Sequence, residues 1–172
     1  MLIHYLKENR PLVRFLAIAC GLYVSWYIVY DLLLHPAKHL DDFVTYNAIN
    51  LSKKILSFLG FTVYSRNRLT GIVPTTGLWI GDPCNGLNLF ALFSGFIIAY
   101  PGKIKYKLVF IPSGIIIIHI INIVRIAGLC IVLLYRPGWM NFNHTYTFTI
   151  IAYICIFSLW MLWVNKFSRR GK

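Results

Sequence analysis

The sequence is dominated by apolar runs that are long enough to cross a lipid bilayer as helices. The first of them, Phe15 to Leu34, contains 20 residues and is interrupted only by Asp31. Twenty residues rise about 30 Å as an α-helix, which matches the hydrocarbon core of a bilayer. Only 13% of the chain is charged, against about 25% of a typical soluble domain. Lipid is therefore the solvent in which this chain is expected to fold.

The apolar runs predict an all-α integral membrane protein that forms one domain over residues 1–172. Four spans are predicted, at about 14–34, 84–100, 107–135 and 144–164. Over residues 43–59, apolar side chains recur at helical spacing on one face and Asn and Lys side chains occupy the other. This pattern predicts an amphipathic helix, which either lies in the membrane interface or packs on the bundle. Residues 61–81 are typical of a short extracytoplasmic β-hairpin.

The basic residues indicate which side of the membrane each loop occupies. If the N-terminus lies inside, the inner segments 1–14, 101–107 and 165–172 hold ten of the seventeen Lys and Arg residues in 29 positions. The outer segments 35–83 and 136–143 hold six in 57 positions. Cytoplasmic loops of membrane proteins carry such an excess of Lys and Arg. Both termini are therefore predicted to be cytoplasmic, which agrees with an even number of spans.

The net charge of the chain is +12, which in a soluble protein would suggest nucleic-acid binding. Here the basic residues lie mostly at the edges of the apolar runs, where they anchor helices and attract anionic lipid. The predicted partner of these charges is the lipid bilayer, and no nucleic acid is expected.

Of the four cysteines, only one has polar neighbours. Cys20, Cys130 and Cys155 lie in apolar runs, where cysteine usually behaves as a small hydrophobic residue. Cys84 lies in Gly81-Asp82-Pro83-Cys84-Asn85-Gly86. The sequence has neither a CxxC pair nor the Cys/His spacing of a zinc site, so no metal or other cofactor is predicted.

Three polar residues that are distant in sequence are predicted to lie at one depth, at the outer face. Arg125 follows Lys107 by 18 residues, or about 27 Å of helix, and so lies near the outer end of the third span. Cys84 begins the second span and His144 begins the fourth, both from the outside. Each alone is compatible with an ordinary packing or interface role, since arginines at span ends often snorkel to the headgroups. Their convergence predicts a functional site.

The chemistry of these three side chains fits attack on a carbonyl group. A thiol is a good nucleophile only as the thiolate, which a helix N-terminus and nearby cations favour. His144 could transfer protons. Arg125 could stabilise the oxyanion of a tetrahedral intermediate or hold a substrate carboxylate. The sequence therefore predicts a catalytic group of Cys84, Arg125 and His144.

Four neighbouring residues could support this group: Asp82, Asn85, Gly86 and Asn122. Gly86 would let a substrate backbone approach closely. Asn122 lies three residues before Arg125, on nearly the same helix face, and could orient it by a hydrogen bond. Asp82 could orient the catalytic histidine or cap the second span. His119 is a rival for the histidine role, but it lies about 9 Å deeper than Arg125, where a helix–helix hydrogen bond is the expected role.

Three motifs resemble those of the exosortase/archaeosortase family. They are Cys84-Asn85-Gly86-Leu87 at the start of one span, Asn122-Ile123-Val124-Arg125 in the next, and His144 at the start of another. The resemblance covers roughly residues 40–164. One departure is Asn85, because the family commonly has Ser or Ala between the Cys and the Gly. Another is the small number of spans, which is similar to that of compact members from Bacteroidota-type bacteria.

The resemblance implies a multi-pass cysteine protease or transpeptidase of the bacterial inner membrane. Cys84 would be the nucleophile, Arg125 the transition-state stabiliser and His144 the proton-transfer residue, in an active site that faces away from the cytoplasm. The substrates would be membrane-inserted proteins with a C-terminal sorting signal, made of a short motif, a transmembrane helix and a basic tail.

Two other functions are compatible with the sequence. A non-enzymatic scaffold subunit of an envelope assembly or export system would use the amphipathic helix and the basic rims and would not need Cys84. A small transporter or channel subunit is less favoured, because the sequence places no charged residue deep in a span where an ion or proton path would need one.

Overall fold

The computed structural model describes residues 10–168, which form five helices and one small β-sheet. The helices are α1 (Arg10–Ala37), α2 (His39–Phe58), α3 (Leu87–Ala99), α4 (Ile104–Tyr135) and α5 (Pro137–Ser168). The strands are β1 (Val63–Arg66), β2 (Leu69–Ile72) and β3 (Leu78–Trp79), paired antiparallel in that order. The fold is that of an all-α membrane protein with a small β-sheet between α2 and α3. The basic residues at positions 1–9 and 169–172, which were predicted to lie on the cytoplasmic side of the membrane, are outside the described residues.

Three helices of the described chain, α1, α4 and α5, are long and apolar enough to cross a membrane. The second predicted span, 84–100, is different. Its helix α3 has only 13 residues and rises about 20 Å, less than the hydrocarbon core of about 30 Å. It is short because Gly86 begins it with a φ of +93° and because Pro101 follows it directly. Four full-length helical spans are therefore not confirmed within residues 10–168.

Aromatic and aliphatic side chains hold α3, α4 and α5 together. Phe93 on α3 is fully buried and packs over Gly114 on α4, where any side chain would collide with its ring. Trp163 on α5 is also fully buried in this cluster. The end of α3 is closed by Lys107, whose Nζ donates to the carbonyl of Tyr100 at 2.8 Å, which satisfies a helix-terminal acceptor. We call α1, α3, α4 and α5 the bundle.

Helix α2 packs along α4, which is one of the two arrangements that the sequence left open. Contacts between the helices advance together along both. Asn47 meets His119, Ser52 donates to the Ile123 carbonyl at 2.9 Å, and Leu56 packs near Ala127. The two helices therefore run parallel. The face of α2 that is buried against α4 carries polar as well as apolar residues, whereas Ile55, Phe58 and Leu59 are exposed. The position of α2 relative to the membrane interface stays a prediction.

The strands cover the same part of α4 that α2 covers. A two-residue turn, in which Asn67 adopts a φ of +54°, joins β1 to β2. The sequence indicated a single hairpin here, and the structure adds β3 as a third strand beside β2. Ile72 of β2 is buried with Cys130 of α4. We call residues 39–86 the cap, which consists of α2, the three strands and the loop that carries Cys84.

Candidate active site

Cys84 lies in a tight loop between β3 and α3. Residues Asp82–Cys84 form one 3-10 turn, in which the Cys84 N–H donates to the Gly81 carbonyl at 2.9 Å. Gly86 then reverses the chain in a left-handed backbone conformation that favours glycine. Cys84 therefore lies three residues ahead of the first residue of α3. The sequence analysis had instead predicted that Cys84 begins the span.

The Cys84 thiol contacts a histidine from the other end of the sequence. Its Sγ lies 3.5 Å from Nε2 of His144, and both residues are half-buried. His144 belongs to a π-helical turn, Asn143–Thr147, near the start of α5. Such wide turns are uncommon in proteins and often occur at functional sites, and the described part of this chain has two more, at Tyr30–Leu34 and Trp163–Ser168. The structure thus brings together two residues that are 60 positions apart in the sequence. Both were predicted to lie at the same depth near the outer face.

Arg125 lies in the same layer of the molecule. It follows Asn122 by almost one turn of α4, and the Asn122 amide donates to the Cys84 carbonyl at 3.1 Å. Within residues 10–168 the Arg125 guanidinium forms no hydrogen bond with Cys84 or His144. Its Nε atom is buried and has no hydrogen-bond partner within residues 10–168. Arg125 therefore carries an N–H group that no protein acceptor uses in the described part of the chain.

Asn122 has a different role from the one expected from the sequence. Its Nδ2 donates to the backbone carbonyls of Cys84 and Asn85, at 3.1 and 3.0 Å, and its side chain is buried. Asn122 therefore fixes the loop that carries Cys84. The sequence analysis had instead predicted that Asn122 would orient Arg125. Gly86 is also buried, with its Cα facing Asn122. Its glycine identity serves the left-handed turn and the packing on α4. Close approach of a substrate backbone to Gly86 stays a prediction.

Asp82 neither orients His144 nor caps α3. One carboxylate oxygen accepts a short hydrogen bond from Arg68, and the other lies 3.4 Å from Nε2 of His35. Arg68 also donates to Asp42 at 2.7 Å. The hydrogen bond to Asp42 raises the pKa of Arg68 above its ordinary value; burial opposes this rise and the contact with Asp82 adds to it. Arg68 thereby ties the loop before Cys84 to the first turn of α2.

His119 is placed away from the thiol. Its Nε2 lies 2.9 Å from Oδ1 of Asn47 on α2, so it makes the helix–helix hydrogen bond expected of it. The ring also meets the edge of Phe90. The histidine that contacts Cys84 is His144.

The sequence analysis missed Asp41, although it included Asn85, which Asp41 contacts, among the residues that could support the site. Asp41, at the start of α2, is fully buried and accepts hydrogen bonds on Oδ1 from the Asn85 amide at 2.6 Å and from the Tyr30 hydroxyl at 2.8 Å. Asn85 uses its own Oδ1 to accept the Leu87 N–H at 2.9 Å, which caps α3. The available signal was the Asp41-Asp42 pair beside an amphipathic helix, but burial of the first carboxylate is visible only in the fold. Within residues 10–168, no group of three His, Cys, Asp or Glu residues could hold a metal ion.

Comparison with family models gives one match, to the transmembrane exosortases (Exosortase_EpsH), over residues 8–164. The chain belongs to the transmembrane exosortase family. This confirms the resemblance carried by the three motifs, and it means that the protein belongs in general to the membrane transpeptidases. The matched region of this exosortase includes Cys84, Arg125 and His144. No curated protein and no solved structure matches the chain.

Proposed function

We propose that this exosortase is a membrane-embedded cysteine protease or transpeptidase that cleaves C-terminal sorting signals of membrane-inserted proteins. Cys84 is the nucleophile, His144 transfers protons and Arg125 stabilises the oxyanion. The observation that carries the proposal is the 3.5 Å contact between Cys84 Sγ and His144 Nε2. A thiol within reach of an imidazole is the arrangement that cysteine nucleophiles use.

The proposed reaction has two halves. His144 takes the thiol proton, the thiolate attacks the scissile carbonyl carbon, and a carbon–sulfur bond forms while the carbonyl oxygen becomes an oxyanion. When the intermediate collapses, the C–N bond breaks and His144 gives its proton to the leaving amine. A thioester to Cys84 remains. Water or an amine then attacks it, His144 removes the proton of the attacking group, and Cys84 leaves as the thiolate.

Arg125 suits the role of oxyanion stabiliser because it has a hydrogen-bond donor to spare. Its Nε is buried and unpaired within residues 10–168, and an unpaired buried donor costs free energy. An oxyanion that forms only during the reaction would satisfy that donor at the moment when the charge develops. A donor of this kind stabilises the transition state more than the ground state.

The length of α4 supports a site at the outer membrane face. Arg125 lies 21 residues after Ile104, the first residue of α4, or about 31 Å along the helix axis. If α4 enters the hydrocarbon at Ile104, beside Lys103, Lys105 and Lys107, it leaves the hydrocarbon near Arg125. The strands, which pack beside Ala127 and Cys130, then lie outside the lipid on the extracytoplasmic side of a bacterial inner membrane, and both termini lie in the cytoplasm. The N-terminal half of α2, which contacts His119 through Asn47, lies at the depth of the outer hydrocarbon. The remaining crossing, which is the second along the chain, is made by the short helix α3 together with its two flanking loops.

A groove between α1 and α3 suits the helical part of such a substrate, although Cys84, Arg125 and His144 do not line it. A cavity of about 540 Å³ lies between α1 and α3 and is lined mainly by aromatic and small residues. It reaches Asn88, four residues after Cys84, and continues down α3 to Gly95. A substrate helix in this groove would present the peptide just above it to Cys84, and its basic tail would remain on the cytoplasmic side.

The experiment uses a reporter with a C-terminal motif, a transmembrane helix and a basic tail, taken from a protein of the same organism. Cys84→Ala, His144→Ala and Arg125→Ala are each expected to abolish processing while the protein still inserts into the membrane. The matched control replaces Cys20, Cys130 and Cys155 by Ala and is expected to process the reporter at the parent rate. Processing at the parent rate by Cys84→Ala would contradict the proposal and favour a non-enzymatic scaffold.

A further inference from the structure

The loop that carries Cys84 is held from both sides by buried polar side chains. On one side, Asn122 of α4 donates to the carbonyls of Cys84 and Asn85. On the other side, the Asn85 amide donates to Asp41 of α2 at 2.6 Å. Asn85 and Asp41 are 1% and 0% exposed, so water does not compete for this hydrogen bond. Two helices that are distant in sequence therefore fix the residue directly after the thiol.

The carboxylate of Asp41 also decides which way the Asn85 amide faces. A carboxylate only accepts hydrogen bonds, so the NH2 end of Asn85 must point toward Asp41. The oxygen end is then left for the Leu87 N–H, at 2.9 Å. The Tyr30 hydroxyl donates to the same Asp41 oxygen at 2.8 Å and fixes the carboxylate in turn. One buried acceptor thus sets the orientation of Asn85 and closes the first turn of α3.

We propose that Asp41 is a positioning residue, which acts through Asn85 to hold the Cys84 thiol against His144. The inference rests on the proposed function, because it concerns the geometry of the same nucleophile. Asp41 contacts neither the thiol nor the imidazole, and its effect passes through one hydrogen bond and the backbone that links Asn85 to Cys84. When this hydrogen bond is lost, the loop and its thiol can shift. A displacement of a reacting group by about 1 Å can lower the reaction rate about 100-fold.

The neighbouring acidic residue plays the complementary part on the other side of the thiol. Asp42 holds Arg68, which in turn holds Asp82, two residues before Cys84. The first turn of α2 therefore fixes the chain on both sides of the nucleophile. Only the Asp41 branch reaches the residue that begins the turn into α3, so the orientation of the thiol depends on Asp41 more directly than on Asp42.

The test is a double-mutant cycle that needs no substrate. The full chain, with the other three cysteines replaced by Ala, is reconstituted in nanodiscs, and the rate of Cys84 alkylation by iodoacetamide is measured. His144→Ala is expected to lower this rate about tenfold or more, because a thiol without a base is only a few per cent thiolate at neutral pH. In an Asp41→Ala background the same His144→Ala change is expected to have no further effect, since the thiol no longer lies against the imidazole.

A merely structural role for Asp41 gives a different pattern. In that case Asp41→Ala would lower the unfolding temperature but leave the His144 effect at its full size, and the inference would be overturned. Asn50→Ala is the matched control, because Asn50 lies on the same helix as Asp41 but is exposed. It is expected to leave both the alkylation rate and its dependence on His144 unchanged.

A charge exchange keeps the test decisive if Asp41→Ala does not fold. Asn85→Asp alone sets two carboxylates against each other and is expected to abolish the dependence of alkylation on His144. Adding Asp41→Asn to that variant lets the exchanged amide donate to the exchanged carboxylate, and the dependence is expected to return. If it does not return, the inference is wrong. A parent protein whose Cys84 reacts at the same rate with and without His144 would instead contradict the proposed function itself.

Discussion

The cap and the bundle of this molecule are held together by different interactions. In the bundle, rings and aliphatic chains fill the space between helices; Phe96 and Trp160, for example, stack with ring centroids 4.4 Å apart. In the cap, buried hydrogen bonds and ion pairs converge on the loop of Cys84. Packing between apolar helices tolerates small shifts, whereas hydrogen bonds are directional. The difference indicates that the bundle provides a support in the membrane and that the cap provides the precision needed at the thiol.

The largest effect is expected when the ionic clamp of the cap is removed. Arg68→Ala leaves the carboxylates of Asp82 and Asp42 without their guanidinium, in a site where the Arg68 side chain is only 13% exposed. The free energy of unfolding of the cap is expected to fall by about 2–3 kcal/mol, which is less than for a fully buried ion pair, because the two carboxylates left without a partner are 42% and 20% exposed. The rate of hydrogen exchange of the amides in α2 and β1 should rise about 100-fold. The rate in the part of α4 that precedes Gly114 should not change.

The matched control for the clamp is Arg66→Ala. Arg66 belongs to the same hairpin but is exposed, and surface charges contribute little to stability. Equal exchange rates in the Arg66 and Arg68 variants would show that the cap does not depend on the clamp.

An intermediate effect is expected when the bundle is overpacked. Gly114→Ala places a methyl group on the ring of Phe93, which is fully buried and has no room to move. The expected loss is about 1–3 kcal/mol, seen as a lower unfolding temperature in detergent. Gly95→Ala is the control, since nothing lies within 4 Å of the added carbon. The alkylation rate of Cys84 in the folded protein should be the same in both variants, and a large change in it would mean that the two regions are not separable.

The smallest effect is expected at the seam between the two regions. The Ser52 hydroxyl lies 2.9 Å from the Ile123 carbonyl and 2.7 Å from the Ala48 carbonyl. Ser52→Ala should cost about 1 kcal/mol, the usual contribution of a single hydrogen bond. The exposed Ser57→Ala change should cost nothing measurable in the same unfolding experiment. A neutral Ser52→Ala change would indicate that the Ser52 hydrogen bond does not help to hold α2 against α4.

The sequence predicted the components of the site better than their connections. Charge asymmetry and helix length were enough to expect Cys84, Arg125 and His144 in one layer, because both follow from the spacing of residues along single helices. The partners of Asn122 and Asp82 could not be obtained in this way. Each of them bonds to a segment whose position depends on how α2 and the sheet pack on α4.

The fold shows the same division. The bounds of α1 and α4 follow from apolar runs and could be predicted closely. The shortness of α3 follows from a left-handed glycine at Gly86 and from the loop before it, which a hydropathy pattern does not distinguish from helix. The parallel packing of α2 on α4 depends on three side-chain contacts across about 70 residues of sequence, which explains why the sequence left two arrangements open.

The central claim, that Cys84 is the nucleophile of this exosortase, is tested most directly by trapping the thioester. The parent protein is mixed with the reporter, quenched in acid after a fraction of one turnover, and digested for mass spectrometry. If Cys84 is the nucleophile, an acyl group that hydroxylamine removes is expected on Cys84. The peptides that contain Cys20, Cys130 and Cys155 are expected to be unmodified. Complete processing with no adduct on Cys84 at any time, together with an active Cys84→Ser variant, would contradict it.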